Sequence, residues 1–356
     1  MTPMPQVLRG SVRNYDWGVI NGLTPWGAKT DGRPQAEMWF GCHPAAPSPL
    51  RDEPDRNLGD VWGDYRPPLL VKILAAAGPL SLQVHPTTEQ IGRMRTDASS
   101  SRLLADDVEK TEMLLADQPF TTLSDWRPIE IAHRLLAEAG AAAGVLEALQ
   151  RDDRADAVGR LLGSQPLSLT EAQWSAAARA AHLPDSEAAA LVEVARAFGT
   201  DPGVAVAALL QPQQLAAGDA VYVPAGVPHA YVHGLGIEVM RNSDNVLRLG
   251  LTSKEISVPD ALAALDPRLH STLLRGSETT DYRVAGAPFR AIAVTESAKL
   301  SDPGYRLVLQ LAGVGHAEVQ GESFDLGAGD ALAVPPGNDT ITFTTTGQAA
   351  AAAESS

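Results

Sequence analysis

The chain has 356 residues, a formal net charge of −15 at pH 7, 44% hydrophobic residues and 20% charged residues. That length exceeds one ordinary core and predicts two or three domains; the composition is that of a soluble globular protein, and the negative charge argues against nucleic acid or an anionic membrane as the main partner. A lone cysteine, Cys42, excludes an internal disulfide, no apolar run reaches the length of a membrane span, and the start MTPMPQVLRGSVRNYDWG has no signal-peptide core, so a reducing, cytoplasmic setting is expected.

Residues 1–127 are rich in Gly, Pro and Trp and hold short apolar runs such as PLLVKILAAA and PLSLQVHP, which read as strands with punctuating turns. From about Pro128 the character changes. IEIAHRLLAEAGAAAGVLEALQ, LTEAQWSAAARAAH and DSEAAALVEVARAFG are Ala- and Leu-rich with spacing near 3.6, which predicts helices. Ser168 and Glu171 stand as in a capping box, and Gly199 suits a helix C-cap. Residues 128–207 therefore read as a helical domain inserted between 1–127 and 208–274. Strands resume near Gly218 and run to about Leu251, and VPDALAALDP is a short helix. From about Arg275 the chain reads as a connection, and from Tyr282 the pattern is all-β, giving a second unit over 275–347. The closing GQAAAAAESS is low in complexity, so 348–356 is expected to be a disordered tail.

One turn occurs twice, as GDAVYVPAG from Gly218 and GDALAVPPG from Gly329. The first copy continues to His229, and the second has Thr340 at the matching place. Repeated Gly-Asp and Pro-x-Gly turns among short strands predict two β units of sandwich or barrel type.

The chemistry-bearing residues lie beside these turns. In PHAYVH, spacing by two puts His229, Tyr231 and His233 on one strand face. In LSLQVHP, Gln83 and His85 likewise share a face, and EKTEMLL supplies Lys110 and Glu112. Gln83, His85, Glu112 and His229 together offer two nitrogens and two oxygens, a set that suits a borderline divalent ion with Zn²⁺ as first choice. The segment GIEVMRNSDNVLRLGLTSK then brings Glu238, Asp244, Arg248 and Lys254. SDN also reads as a simple turn, whereas Arg248 sits between apolar neighbours. Three of the five lysines, Lys72, Lys110 and Lys254, fall beside these motifs. They read either as solvated side chains placed by chance or as ammonium groups that bind substrate or donate a proton.

These residues resemble the type I phosphomannose isomerases, a zinc-dependent family of the cupin superfamily. The resemblance rests on NYDWG from Asn14, AEMWFGCHP from Ala36, LLVKILAAAGPLSLQVHP from Leu69, KTEML from Lys110 and, most specifically, VPAGVPHAYVHGLGIEVMRNSDNVLRLGLTSK from Val223. It implies a mainly β fold of two cupin-like, jelly-roll barrels with the helical domain inserted in the first, and a second barrel that keeps the turn without the metal. It implies one zinc per chain on Gln83, His85, Glu112 and His229, and Arg248 at the catalytic arginine's position. Trp17, Ser81, Lys110, Tyr231, Glu238, Asp244 and Lys254 match the family's substrate pocket, with Glu238, Asp244 and Lys110 as acid/base candidates and Lys72 as a further substrate ligand. The family's Lys-Pro-Glu-Met appears as Lys110, Thr111, Glu112 and Met113, and its Cys-Gly-Phe-Arg-Pro as Ser124, Asp125, Trp126, Arg127 and Pro128.

The implied reaction interconverts mannose 6-phosphate and fructose 6-phosphate through a cis-enediol. The partner is then a phosphorylated hexose, with neither nucleic acid nor membrane, and a monomer is expected with a homodimer left open. The rival readings are a redox metal-dependent cupin of the dioxygenase type and a non-catalytic sugar-binding cupin.

Overall fold

Every residue of the strand Leu69–Ala76 is buried. Its sequence, LLVKILAA, is apolar on both faces except at Lys72, as expected of a strand covered on both sides. In the computed structural model, which describes residues 3–163, 165–276 and 280–355, this strand lies inside an antiparallel sheet. Across that sheet the order is Thr272–Leu274, Ala220–Val223, Glu112–Ala116, Ala230–Arg241, Leu69–Ala76, Glu37–Phe40 and Ser11–Arg13. One strand serves three partners: Ala230–Arg241 pairs first with Phe120–Trp126, then from Gly234 with Leu69–Ala76 on one side and from Gly236 with Glu112–Ala116 on the other. A Cβ on Gly234 would stand 2.5 Å from the Phe120 ring, so the crossing needs glycine.

The helices sit inside a hairpin. Phe120–Trp126 pairs antiparallel with Leu210–Leu215, and the helices from Ile129–Glu138 to Gly203–Ala207 leave from and return to that pair. Their apolar faces pack on Leu82, Val84, Leu247 and Leu249, from the pair Leu82–Val84 and Leu247–Gly250. Each such buried side chain contributes roughly 1.5–3 kcal/mol. Gly199 closes its helix at φ 58°, as expected. The capping box stands two residues later than Ser168: Thr170 accepts from the Gln173 N–H, and the Gln173 side chain accepts from the Thr170 N–H.

In the second β unit, a sheet ordered Gln6–Arg9, Asp330–Val334, Arg306–Ala312, Gln348–Glu354, Phe289–Val294 and Asp281–Tyr282 stacks on a four-stranded one. Val308, Leu332, Ile341 and Phe343 fill the space between these two sheets. Leu307, Leu309, Ala331 and Ala352 face the other way, against Phe40, Val71, Ile73 and Met113 of the first unit. The mainly β architecture with a helical block is as expected, but strand pairing among the described residues closes neither unit into a barrel.

Two expectations about the chain ends are corrected. Gln6–Arg9 pairs along its length with Asp330–Val334 of the second unit, and bridges back to the first at Leu8 and Leu50. The Ala-rich segment is the strand Gln348–Glu354, paired on both sides with Phe289–Val294 and Arg306–Ala312; Ser356 lies outside the described residues. Methyl groups suffice because this strand is covered by apolar residues on both faces, so its ladder rather than its side chains holds it.

The repeated turn does the same structural work twice. Gly218 and Gly329 have φ of 87° and 84°, a region that favours glycine. The Asp219 carboxylate accepts from the Ala216 N–H at 3.0 Å, and Asp330 accepts from the Gly327 N–H at 2.9 Å. Arg275 then clasps Asp219, while Arg9 and Arg51 clasp Asp330. At the end of the second copy, Thr340 is exposed and shares a hydrogen bond with Ser301.

Candidate active site

Alternation along the strands selects the residues of the site. Val71, Ile73, Met113, Ile237 and Val239 turn toward the second β unit. Their neighbours Lys72, Glu112 and Glu238 therefore emerge on the opposite face, as do Glu37 and Trp39. Register then makes a row: Trp39 lies opposite Lys72, and Lys72 opposite Glu238. The Lys72 ammonium is 2.7 Å from Glu238, 3.8 Å from Glu37 and 5.1 Å from the centre of the Trp39 ring. Trp39 donates its indole N–H to Glu37 at 2.7 Å.

Above this face stand the four expected metal ligands. Leu82 and Val84 are buried in the helical core, which leaves Gln83 and His85 on the site side of their strand. Backbone bonds in both directions tie Gln83 to His229. His85 Nε2 and His229 Nε2 each lie 3.2 Å from an oxygen of Glu112, and the Gln83 amide is 3.2 Å from His229 Nε2. His85, Glu112 and His229 are fully or almost fully buried, with candidate ligand atoms within 4.8 Å of one another.

The hydrogen bonds show why a cation fits here. His85 Nδ1 bonds the Asn245 carbonyl at 2.8 Å, and His229 Nδ1 bonds the Val227 carbonyl at 3.0 Å. A carbonyl only accepts, so each Nδ1 carries a proton, and a ring protonated there alone aims its Nε2 lone pair at Glu112. Lone pairs facing a carboxylate repel, and His85 Nε2 has no hydrogen-bond partner. A divalent ion among them converts the repulsion into ligation, with the carbonyls as the outer support typical of ligating histidines. A half-turn of the Gln83 amide would bring its oxygen, in place of its nitrogen, toward His229 Nε2 and the same point.

Charge points the same way. The buried side chains around this point include the carboxylates of Glu37, Glu112 and Glu238 and the ammonium groups of Lys72 and Lys110. The carboxylates outnumber the ammonium groups by one, so a divalent cation leaves the cluster positive. Burial, helped by Lys110, pushes His85 down to about 4, which keeps it a neutral ligand. Burial opposes ionisation of Glu112, but the Lys110 ammonium outweighs it and the carboxyl stays well below its usual range. Burial and the neighbouring Glu112 push Glu238 up, against the pull of Lys72. Burial lowers Lys72, yet Glu238 and Glu37 outweigh that and hold it protonated.

The remaining expected residues surround this group unevenly. Lys110 lies 2.7 Å from Glu112. The Tyr231 hydroxyl donates to Glu112 at 3.4 Å, and burial pushes its phenol well up. Arg248 stands in register with Gln83, half-buried, with no ion pair or hydrogen bond to its side chain among the described residues. Trp17 stacks on Tyr15 and packs beside Tyr231, and Ser81 is half-buried at the start of the Gln83 strand. Asp244 is 56% exposed and bonded to His43 at 3.0 Å. Lys254 is exposed in the loop after Arg248 and makes no side-chain contact with the buried group. His233 leaves the site altogether: a register shift after Tyr231 turns it to Glu193 of a helix, at 2.8 Å.

Sequence reasoning missed Glu37, Trp39, His43 and Asn245. The first three lie in AEMWFGCHP, where a charged residue two places before a tryptophan in a buried strand was the available signal. Asn245 reads as a turn residue, yet it is fully buried; its side chain binds the backbone at Ala105, Asp106 and Val108 while its carbonyl holds His85.

Comparison with known proteins gives a consistent picture. Residues 6–129 match the family model described as phosphomannose isomerase type I, catalytic domain. The mannose-6-phosphate isomerase of Escherichia coli is 34% identical over 291 residues, 72% of this chain and 74% of that one. Mannose-6-phosphate isomerase 1 of Arabidopsis thaliana is 30% identical over 385 residues, 92% of this chain and 88% of that one. The crystal structure of the Salmonella typhimurium mannose 6-phosphate isomerase, bound to its substrate fructose 6-phosphate and to zinc, superposes with a TM-score of 0.79. At 23% identity, covering 99% of this chain and all of that one, the match shows a shared fold.

Proposed function

This chain belongs to the type I mannose-6-phosphate isomerases, and from that premise we propose how its own residues interconvert mannose 6-phosphate and fructose 6-phosphate. The observation that carries the reading is the buried group of His85, Glu112 and His229, with half-buried Gln83 beside it and the unpaired Arg248 in register with Gln83. Zinc is the ion the mixed nitrogen and oxygen set suits, and when bound there it supplies Lewis acidity to the sugar oxygens.

An aldose and its ketose differ by a proton moved between C1 and C2, through a cis-enediol(ate). Arg248 is always protonated and has no internal partner to give up, so it meets the developing oxyanion. Glu238 is assigned the proton transfer. It is buried, its carboxyl is pushed up toward neutrality, and Lys72 fixes its orientation. Lys110 orients Glu112, and Tyr231 braces the same carboxylate from the other oxygen. Asp244, held ionised first by the hydrogen bond from His43, suits a sugar hydroxyl at the rim rather than the proton transfer. Trp17 offers an apolar wall. Ser81 and Lys254, both without side-chain partners among the described residues, are assigned to the phosphate.

No helix among the described residues is long and apolar enough to cross a membrane. A reducing, cytoplasmic setting is the reading that the single cysteine supports, since no disulfide can form within the chain. The test is a coupled assay of fructose 6-phosphate formation from mannose 6-phosphate. Turnover is expected to stop with a chelator and return with zinc; zinc-loaded, folded protein that never turns over would overturn the reading.

A further inference from the structure

We propose that His43 is a positioning residue for this reaction: it orients Asp244 and, through it, the turn that carries Asn245 and leads into the Arg248 strand. The role rests on the isomerase reading above.

His43 is 5% exposed, with its ring edge-on to Trp39 at 4.8 Å. Its Nδ1 accepts the Ala45 N–H at 3.2 Å. A nitrogen that accepts carries no proton, so the ring is neutral with its single N–H on Nε2. That N–H donates to Asp244 Oδ2 at 3.0 Å. Asp244 Oδ1 has no protein partner among the described residues, so the hydrogen bond occupies one carboxylate oxygen and leaves the other for a sugar hydroxyl. Lys110 and Lys72 both act on the Asp244 carboxylate, which places it within the field of the site's ammonium groups.

The turn is held from two sides. On one, Ser243 and Asn245 bond Asp106 and Val108. On the other, His43 holds Asp244, and just before Ser243 the Asn242 amide donates to the Pro67 carbonyl at 3.2 Å. Asn245 next in line holds His85 by its carbonyl, and Arg248 follows three residues later. A loss at His43 therefore reaches the sugar-facing carboxylate first, and the arginine through the same backbone.

The test uses His43→Gln, His43→Asn and His43→Leu in the full-length, zinc-loaded protein. A glutamine amide nitrogen reaches the place of Nε2 and keeps the donor to Asp244, whereas asparagine reaches only as far as Nδ1. The leucine and asparagine variants are expected to lose about 10- to 100-fold in kcat/KM, and the glutamine variant no more than about 3-fold. The His43→Leu/Asp244→Asn double variant is expected to lose no more than Asp244→Asn alone, with zinc content unchanged throughout. Equal losses in the glutamine and asparagine variants, or losses that multiply in the double variant, would overturn the role. Should the leucine variant not fold, nitrogen NMR of the wild-type histidines decides: a proton on Nδ1 of His43 overturns the proposal, and a neutral ring protonated on Nε2 supports it. Wild-type protein without turnover but with that tautomer would sink the isomerase reading and leave the contact standing.

Discussion

Arg248 and Gln83 face each other across the two-strand pairing of Leu247–Gly250 with Leu82–Val84. The pairing places a fixed cation next to a metal ligand and ties its position to the ligand's own backbone. Nothing else among the described residues uses the guanidinium. Arg248→Ala is accordingly expected to lower kcat by roughly 100- to 1,000-fold, the scale of losing one preorganised oxyanion donor. Zinc content should be unchanged, because no ligand is touched. Arg248→Lys should recover only part of the loss, since an ammonium lacks the planar fork. Kinetics beside metal analysis checks this, and near-normal kcat in the alanine variant removes Arg248 from the chemistry.

Lys72 is the charge that lets Glu37 and Glu238 share a buried face. Lys72→Met leaves two buried carboxylates without their cation, and a broken buried pair costs about 3–5 kcal/mol. Adding Glu238→Gln removes one of those charges, so the double variant should recover most of the stability. It should not recover turnover, because the proton-transfer carboxyl is then gone. Urea unfolding of the three proteins, with an isomerase assay on each, separates the two effects. A Lys72→Met protein as stable as wild type would show that the row contributes nothing to folding.

The legible part of the site is the part governed by alternation. Gln83 and His85 could be read from LSLQVHP because Leu82 and Val84 between them had to be buried, and they are. What alternation cannot reach is convergence. Glu112 meets His85 and His229 from two segments far apart in the chain, bridged to each other through Gln83 and His229, and no local pattern encodes that meeting. The same limit hid Glu37, whose role depends on Trp39 standing opposite Lys72. Lys254 shows the converse: adjacency along the chain placed it with the buried residues, but the loop after Arg248 carries it to the surface, where only the substrate's phosphate is assigned to it. The end strand was misread for a compositional reason, since a run of alanines has no period to detect and its partners are distant in sequence.

Asp219 gives the repeated turn a measurable pH signature. Burial alone would raise its carboxyl, but the N–H groups of Gly276 and Ala216 and the guanidinium of Arg275 outweigh burial and hold it below 3.8. The unfolded chain therefore binds the proton first as pH falls. The stabilisation is fully present above that unfolded value and is lost as pH drops through the lowered folded one. Asp219→Ala is expected to cost about 1–3 kcal/mol at neutral pH, for hydrogen bonds left unmade. Its stability should fall less steeply than wild type between about pH 5 and about pH 2. Chemical unfolding of both proteins across that range is the check, and parallel curves would show that Asp219 titrates alike in the folded and unfolded chains.

The strand Gln348–Glu354 makes the sharpest claim about folding. It is paired on both sides, so its loss leaves Phe289–Val294 and Arg306–Ala312 with open edges. It also uncovers two cores at once, because Ala350 and Ala352 face the first unit while Ala349, Ala351 and Ala353 face the second sheet. A chain ending at Gly347 is expected to lose cooperative unfolding and to be cut rapidly within 280–347 by a protease. A gentler probe is Ala351→Leu, which forces three extra carbons into a filled space and should cost about 1–3 kcal/mol. The truncated chain would also show whether the site depends on the second unit, since Val71, Met113 and Val239 lean on that unit while their neighbours Lys72, Glu112 and Glu238 face the metal group. Wild-type melting and turnover in the truncated chain would mean that the alanine strand is dispensable and that the first unit stands alone.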